Sequence, residues 1–572
     1  MHKHQLSVAV INSDEATHCA TTPDSGQSAS ATRSNPLRGD ATLQASTYKK
    51  LTHFPSVAIY KLKSRPTAVI VALLIGTFLA HFYAADLKGI WNDEAVRLTI
   101  ANGGLATAPV ERRHPGHARD VLKAIENFAR PLRGSARATQ PIYVLLVNRI
   151  LRLTHSYSVI PILTTNLLIF LFSAVGIYLL ARSLLSVWGA FLSLLLYLWN
   201  GFAMVHLLQV REYPLILCLL VWNTFFFYRL FKASLSSTSR VFWWIALAHC
   251  LTASAALYTT YWAPFFLWPQ AVIAVLALRR NPRPVLTVWA SLGVAGLCWL
   301  PWLLKMSKNS VLFLSLNRRP SSLKLLLAQL HGGTEHLLIG SQQTGLSLLT
   351  MYYWLVFAVL IGGVVYFGLR FQRQRLEIQH LVLTTLGFLT FQIGYFFLRE
   401  PQSIWPRYFI LYLPYVVLLI PLTLSRLVNW VPRLGTRRAC LQIALLLLTA
   451  VAGLAQIRNN YRNPYVDHGP DFRIVYRYLI SRVAPSDKIV FGEIGNLMAL
   501  NYYWPSPHQI QFGYRAAPDD RSAHPKIWTL NWRDEENPVY RAYTGRLNSL
   551  GYELTATRVV SKAIIRCFQA NP

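Results

Sequence analysis

Long apolar runs, each close to the length of a membrane span, recur along most of the chain and leave mainly short polar segments between them. About 20 apolar residues in helical conformation cross the hydrocarbon core of a bilayer, so each run predicts a transmembrane helix. We expect about eleven spans on this criterion. They cover residues 66–85, 159–181, 186–207, 213–231, 241–258, 262–278, 285–304, 346–369, 379–398, 406–425 and 439–457.

The segment between the first two spans, residues 86–158, is too long to be a plain connector. Within it, the stretch ARDVLKAIENFARPL (118–132) carries apolar residues at helical spacing with a basic opposite side. The stretch TQPIYVLLVNRILRL (139–153) has the same character, with Pro141 in its first turn. We expect two amphipathic helices lying along the outward membrane surface.

Two further segments are polar enough to lie outside the bilayer. Residues 305–345 include HGGTEHLLIGSQQTG, whose glycines argue for mobility and make this segment a candidate lid. Residues 458–572 become soluble in composition, and strands alternate there with helices, one of which begins at the cap residue Asp471. We expect a small α/β domain, whose predicted strands are 488–494, 509–515, 526–532 and 556–568.

Composition agrees with a membrane protein. The chain is 53% hydrophobic and only 14% charged, whereas a soluble globular protein carries about 25% charged residues. The predicted fold class is an all-α polytopic membrane protein with outward interfacial helices and a C-terminal α/β domain. The predicted domains are a disordered cytoplasmic tail (1–58), a transmembrane domain (59–457) and a soluble outward domain (458–572).

The formal net charge of +32 does not indicate nucleic-acid binding, because basic residues concentrate in alternate short loops. Arg279, Arg280 and Arg283 form one such group, and Arg370 and Arg373 belong to the next. The positive-inside rule makes those loops and the N-terminus cytoplasmic. The opposite loops also carry cations, which suggests an anionic ligand on the outward face.

Two adjacent carboxylates, Asp93 and Glu94, follow the first span in the stretch GIWNDEAVRLTIANGG. They could be a solvated helix end or a reaction centre at the membrane surface. Three later stretches bear on the choice: QPIYVLLVNRIL (140–151), VHLLQVREYPLILCL (205–219) and WPRYFILYLPYVVLLIP (405–421). With these motifs in this order, roughly residues 66–490 resemble the GT-C superfamily of polyprenyl-phosphate-sugar-dependent glycosyltransferases. That superfamily includes protein mannosyltransferases and the lipid A aminoarabinose transferase.

The resemblance implies that Asp93 is the catalytic base, with Glu94 beside it. The chemistry agrees, because an acceptor hydroxyl must lose its proton as it attacks the anomeric carbon, and a carboxylate in hydrogen-bond reach can accept that proton. The leaving group is already a phosphate, so it needs no second carboxylic acid of the kind that glycosidases use. It needs cations aimed at its developing charge.

Arginines at the ends of spans are the candidate phosphate ligands. The resemblance favours Arg211 and Arg407 for this role, although each could instead be an interfacial arginine reaching the lipid headgroups. Aminoarabinose-type relatives carry a lysine before a Pro-Pro pair, where this chain has Thr139 and Gln140. That departure leaves Arg137 or Arg133 as a substitute ligand.

Tyrosines near the same span ends are the candidate substrate contacts, together with Gln140. Tyr213, Tyr261 and Tyr408 could stack on a sugar or a prenyl chain, or they could belong to an aromatic belt at the interface.

No cofactor is required by this chemistry, although a divalent metal remains open. His331, Glu335 and His336 are weak metal candidates, since their spacing matches no standard zinc motif.

The sequence therefore predicts an inverting glycosyltransferase of the bacterial inner membrane, with its active site and C-terminal domain in the periplasm. The expected partners are a polyprenyl-phosphate sugar, the lipid bilayer, and a glycan, lipid or protein acceptor. Two alternatives stay open: a lipid or small-molecule transporter or flippase without transferase activity, and a non-catalytic membrane scaffold with an outer binding module.

Overall fold

The computed structural model describes residues 66–85, 97–98, 100–101, 120–122, 124, 141–155, 159–233, 239–278, 282–309, 323–339, 347–398, 406–430, 437–462, 471–491, 500, 504, 509–512, 525–531, 538–560 and 563–571. The chain divides into two units, Met1–Val57 and Ala58–Pro572, and all described residues belong to the second. The predicted tail, 1–58, lies outside the described residues. The domain boundaries at 58 and 457 stay predictions.

The protein is a multi-pass helical membrane protein. Its main helices are α1 (Pro66–Ala85), α2 (Pro141–Thr154), α3 (Ile160–Leu184), α4 (Val187–Leu198), α5 (Gly201–Leu207), α6 (Tyr213–Ala233), α7 (Ser239–Leu257), α8 (Pro264–Ala277), α9 (Pro282–Asn309), α10 (Leu323–Ile339), α11 (Ser347–Leu369), α12 (Leu376–Leu398), α13 (Leu413–Trp430), α14 (Arg437–Arg462), α15 (Phe472–Ile480) and α16 (Pro538–Ser549). A 3₁₀ segment, Pro406–Tyr412, precedes α13.

Each of the eleven predicted spans overlaps a helix or a pair of helices. Among the described residues, six helices are long and apolar enough to cross a membrane, and a seventh span results if α4 and α5 count as one. The count of eleven is therefore a prediction. Many large apolar side chains point outward from these helices, including Trp243, Leu251, Leu297 and Met351, as expected for surfaces in contact with lipid.

The pair α4 and α5 is bent by 48°, and Asn200 explains the bend. Its side-chain oxygen accepts a hydrogen bond from the backbone nitrogen of Ala203 at 2.9 Å, which caps the start of α5. Its amide nitrogen donates to the carbonyl of Leu337, near the end of α10, at 2.6 Å. One side chain thus starts a new helix and fixes α10 against it.

The C-terminal part forms a five-stranded sheet of β1 (Lys488–Phe491), β2 (Ile510–Phe512), β3 (Lys526–Asn531), β4 (Tyr552–Val560) and β5 (Ala563–Ala570). The strand order is β2-β1-β3-β5-β4. The first three strands are parallel, and β5 pairs antiparallel with β3 and β4. The prediction of one strand over residues 556–568 is wrong. Two antiparallel strands, β4 and β5, occupy this stretch, and in the sequence the polar residues Ser561 and Lys562 stand between them.

Helix α15 begins where the sequence predicted, because Asp471 accepts a hydrogen bond from the backbone nitrogen of Arg473 at 2.9 Å. Its buried side, with Phe472 and Val475, belongs to one hydrophobic core together with Tyr143 of α2 and Val121 of the first loop. The sheet, α2 and the first loop are therefore packed on one another. Val121 contacts protein, so this position of the predicted surface helix is buried and does not face lipid.

The middle of the helix bundle holds a layer of polar side chains. The amide nitrogen of Gln270 donates to Asn223 at 2.8 Å, and Asn223 donates to the carbonyl of His249 at 3.0 Å. The Nε2 of His249 donates to the Gln270 side-chain oxygen, 2.9 Å away, since a carbonyl oxygen can only accept. These hydrogen bonds link α6, α7 and α8 inside the bundle.

Replacing Asn223 with alanine should lower the free energy of unfolding by about 0.6–2 kcal/mol, because it leaves the buried donor of Gln270 without its acceptor. Unfolding of the purified protein in mixed micelles measures this. The control is Thr390→Ala on α12, whose exposed hydroxyl bonds only to the carbonyl one turn earlier. If both substitutions lower the free energy of unfolding equally, the polar layer does not hold these helices together.

Candidate functional site

Several polar or irregular segments meet at one end of the bundle, and the start of α2 is the first of them. The backbone nitrogen of Ile142 donates to the carbonyl of Tyr258, 3.4 Å away, in the turn between α7 and α8. Gln140 precedes Ile142 by two residues and lies outside the described residues.

The turn between α5 and α6 carries Arg211, which is only 2% exposed. Its guanidinium Nη1 makes a long hydrogen bond of 3.4 Å to the hydroxyl of Tyr213. The buried Asn166 of α3 holds this turn, because its amide nitrogen donates to the carbonyl of Gln209 at 2.8 Å. Asn166 also hydrogen-bonds the hydroxyl of Tyr143 on α2, 3.1 Å away. Arg211 is therefore a buried cation on a fixed turn, not an arginine exposed at a helix end.

The first loop is attached to the same turn. Arg97 forms an ion pair with Glu212, the residue next to Arg211. Asn148 of α2 donates to the carbonyl of Ala101 at 2.7 Å, which holds the same helical piece of the loop from the other side. Asp93 and Glu94 lie outside the described residues. Asp93 stands four residues before Arg97 in the sequence.

The aromatic turn between α7 and α8 contacts the 3₁₀ segment. The ring centroids of Trp262 and Tyr408 are 4.9 Å apart. The hydroxyl of Tyr261 is buried and has no hydrogen-bond partner among the described residues. Burial raises the pKa of the Tyr261 phenol well above its usual value, so this group stays a neutral donor. Arg407 belongs to the 3₁₀ segment, but its side chain is not among those described.

Helix α10 lies within the segment predicted to be a lid. Gly332 and Gly333 are buried there, and a Cβ atom added at Gly333 would overlap the ring of Phe409 in the 3₁₀ segment. The hydroxyls of Thr334 and Tyr353 lie 3.3 Å apart, which joins α10 to α11. Gly333 thus allows close packing on the segment that follows Arg407 and Tyr408. The mobility inferred from the glycines and a lid formed by residues 305–345 stay predictions.

The metal candidates are only partly described. A nitrogen of His331 lies 3.8 Å from a carboxylate oxygen of Glu335, one turn away. The His331 ring also contacts Tyr353 and Trp354, with centroids 5.5 Å away in each case. The side chain of His336 is not described. Within the described part of the chain, no group of three or more metal-binding side chains occurs.

The structure describes the side chains of four of the nine predicted catalytic, phosphate-binding and substrate-binding residues, Arg211, Tyr213, Tyr261 and Tyr408, all at this end of the bundle. Asp93, Glu94, Arg137 and Gln140 lie outside the described residues. Sequence reasoning missed Arg97, Asn148, Asn166 and Glu212. Arg97 has a detectable signal, because it stands four residues after Asp93, whereas nothing in the sequence pairs Asn166 with a turn more than forty residues away.

Comparison with solved structures identifies the architecture. ArnT from Cupriavidus metallidurans bound to undecaprenyl phosphate aligns with a TM-score of 0.52 and 12% identity, covering 88% of this chain and 99% of that one. The same protein in the apo state gives 0.50 and 12%, covering 89% and 99%. This is a GT-C-like fold.

An oligosaccharyltransferase from Archaeoglobus fulgidus aligns with a TM-score of 0.44 and 13% identity, covering 80% of this chain and 67% of that one. No family model and no curated protein sequence matches this chain. At these identities the likeness establishes the GT-C-like fold alone, so the activity has to be argued from the chain's own residues.

Gly333→Ala should disturb the site, because its Cβ would force the buried Phe409 ring and the adjoining residues Arg407 and Tyr408 to move. Overpacking of this kind costs about 1–3 kcal/mol. We expect a lower unfolding midpoint, measured by thermal unfolding of the purified protein in detergent. The control is Gly362→Ala on α11, where an added Cβ meets nothing within 4 Å. An unchanged midpoint in Gly333→Ala would show that α10 does not depend on this close approach to Phe409.

Proposed function

We propose that this protein is an inverting glycosyltransferase that uses a polyprenyl-phosphate-linked sugar. The acceptor would be a glycan, lipid or protein on the periplasmic face of a bacterial inner membrane. The observation that carries the proposal is the attachment of the first loop to the buried Arg211 turn by Arg97 and Glu212. A candidate base and a candidate phosphate ligand thereby come from segments fixed to each other. The GT-C-like fold is consistent with it.

In the proposed reaction, the acceptor hydroxyl attacks the anomeric carbon while its proton passes to the carboxylate of Asp93. The bond between that carbon and the phosphate oxygen breaks, and the phosphate leaves with the electron pair. A new glycosidic bond forms on the opposite face, which inverts the configuration. Glu94 is proposed to assist Asp93 from the adjacent position.

Arg211 is proposed to stabilise the charge that develops on the leaving phosphate, with Arg407 and Arg137 as further cations. A buried guanidinium is well suited to this, because it is already desolvated and held in place before the reaction begins. Tyr213, Tyr261, Tyr408 and Gln140 are proposed to contact the sugar or the prenyl chain. The buried hydroxyl of Tyr261 supports this role, because it is a neutral donor held at the same end of the bundle.

The ends of α2, α6 and α8 that carry these groups are proposed to be the outward ends. At the opposite end of the bundle stand the basic residues Arg229, Lys232, Arg370 and Arg375. Basic residues concentrate on the cytoplasmic side of membrane proteins, which supports this orientation.

Asp93→Asn should lower product formation by about 10²- to 10⁴-fold, because the variant cannot accept the proton. Its affinity for undecaprenyl phosphate should stay close to that of the native protein, whereas Arg211→Ala should weaken that affinity. Native mass spectrometry measures the binding. Product is followed as the envelope glycan or glycolipid that mass spectrometry finds missing from cells lacking the protein.

A transporter or flippase gives a different pattern. If proteoliposomes move polyprenyl-phosphate sugar across the bilayer while no glycosylated product forms, the transferase proposal is wrong. Full activity in Asp93→Asn would likewise remove the proposed base.

A further inference from the structure

The ion pair between Arg97 and Glu212 joins two parts of the chain more than one hundred residues apart, and neither residue belongs to the proposed base or phosphate ligands. The Arg97 side chain is 17% exposed and that of Glu212 is 21% exposed. Because the pair is largely shielded from water, salt screens its electrostatic attraction less than that of a surface ion pair. Its charged hydrogen bond therefore fixes the relative position of the two side chains more strongly.

Glu212 stands between two functional candidates in the sequence, Arg211 and Tyr213, on the turn that Asn166 holds. Its backbone carbonyl accepts a hydrogen bond from the nitrogen of Ile216 at 2.9 Å, so Glu212 also belongs to the start of α6. The carboxylate of Glu212 therefore projects from a rigid position and cannot follow a moving loop.

Arg97 stands on the helical piece of the first loop that ends near Ala101. On this piece Leu98, Ile100 and Ala101 are buried in the hydrophobic core shared with α2 and α15, and Asn148 binds the Ala101 carbonyl. The hydrophobic contacts hold this piece against α2, but they are not directional. The ion pair adds a directional contact at the end nearer to Asp93.

We propose that Arg97 and Glu212 are positioning residues: their ion pair holds the described piece of the first loop to the Arg211 turn, and the proposed base Asp93 stands four residues before Arg97 in the sequence. This inference rests on the proposed function. A misplacement of about 1 Å in such a constellation can lower turnover about 10²-fold. The pair therefore acts on turnover through Asp93 and leaves the binding of the phosphate to Arg211 largely intact.

A competing role for Arg97 follows from its second amino nitrogen. Nη1 of Arg97 is buried and has no hydrogen-bond partner among the described residues. A phosphate oxygen would satisfy it, which would make Arg97 a direct ligand of the leaving group. The two roles differ in what the loss of Arg97 does to phosphate affinity.

The test is a double-mutant cycle in the full-length protein with Arg97→Ala, Glu212→Ala and the double variant. We expect each single variant to lower product formation about 10- to 100-fold, and the double variant to lose no more than the worse single one, because the two residues act as one unit. The dissociation constant for undecaprenyl phosphate should change less than about threefold, which is under 1 kcal/mol.

Hydrogen–deuterium exchange supplies a readout independent of activity. Peptides covering residues 93–101 should exchange faster in both single variants, while peptides of α8 remain unchanged. If exchange rises in this way but the native protein forms no product, the ion pair does hold the first loop in place and the proposed transferase function is wrong.

A matched control uses the ion pair between Lys232 and Glu377, which are 3.6 Å apart. Lys232→Ala removes one cation from an ion pair between α6 and α12, and Glu377 keeps Arg375 at 2.9 Å. Product formation and exchange at 93–101 should not change. The positioning role is wrong if the losses of product formation in the two single variants multiply in the double variant. It is also wrong if Arg97→Ala binds undecaprenyl phosphate tenfold more weakly while hydrogen exchange at residues 93–101 is unchanged.

Discussion

A bilayer offers no water to unpaired backbone groups, and this constraint organises the protein. Each span has to satisfy its N–H and C=O groups within its own helix, so irregular backbone is tolerated only at helix ends or against other protein segments. The turn with Arg211, the turn with Tyr261 and the 3₁₀ segment before α13 are such irregular places. They lie at one end of the bundle, where the turn with Arg211 shares a hydrophobic core with α2, the first loop and the C-terminal sheet.

That arrangement suits a reaction between a lipid-linked donor and a polar acceptor. A prenyl chain is soluble only in the bilayer, whereas the phosphate and the sugar need polar partners. In the proposed function, the buried Arg211 on its fixed turn provides such a partner without the reorganisation that water would require. The polar layer of Asn223, His249 and Gln270 lies deeper, and its hydrogen bonds link α6, α7 and α8, which assigns it to helix packing.

Each predicted span overlaps a helix, because hydropathy is a local property that the bilayer enforces on every helix. Local signals also located the cap at Asp471, which depends on the neighbouring nitrogen of Arg473. Local signals do not reveal contacts with distant partners. The close packing of Gly333 against Phe409, for example, joins positions more than seventy residues apart.

Only part of the candidate site could be predicted, because local signals do not reveal distant partners. Motif resemblance singled out Arg211, but the groups that hold its turn, Asn166 and Gln209, have no local signature. The pairing of Arg97 with Glu212 likewise appears only in three dimensions.

The most direct test of the central claim is an experimental structure of the full-length protein with undecaprenyl phosphate. We predict that the phosphate lies within hydrogen-bond reach of Arg211 and that the Asp93 carboxylate faces the bound lipid. A phosphate bound at the opposite end of the bundle, near Lys232 and Arg375, would contradict the proposed site, as would Asp93 directed away from the phosphate.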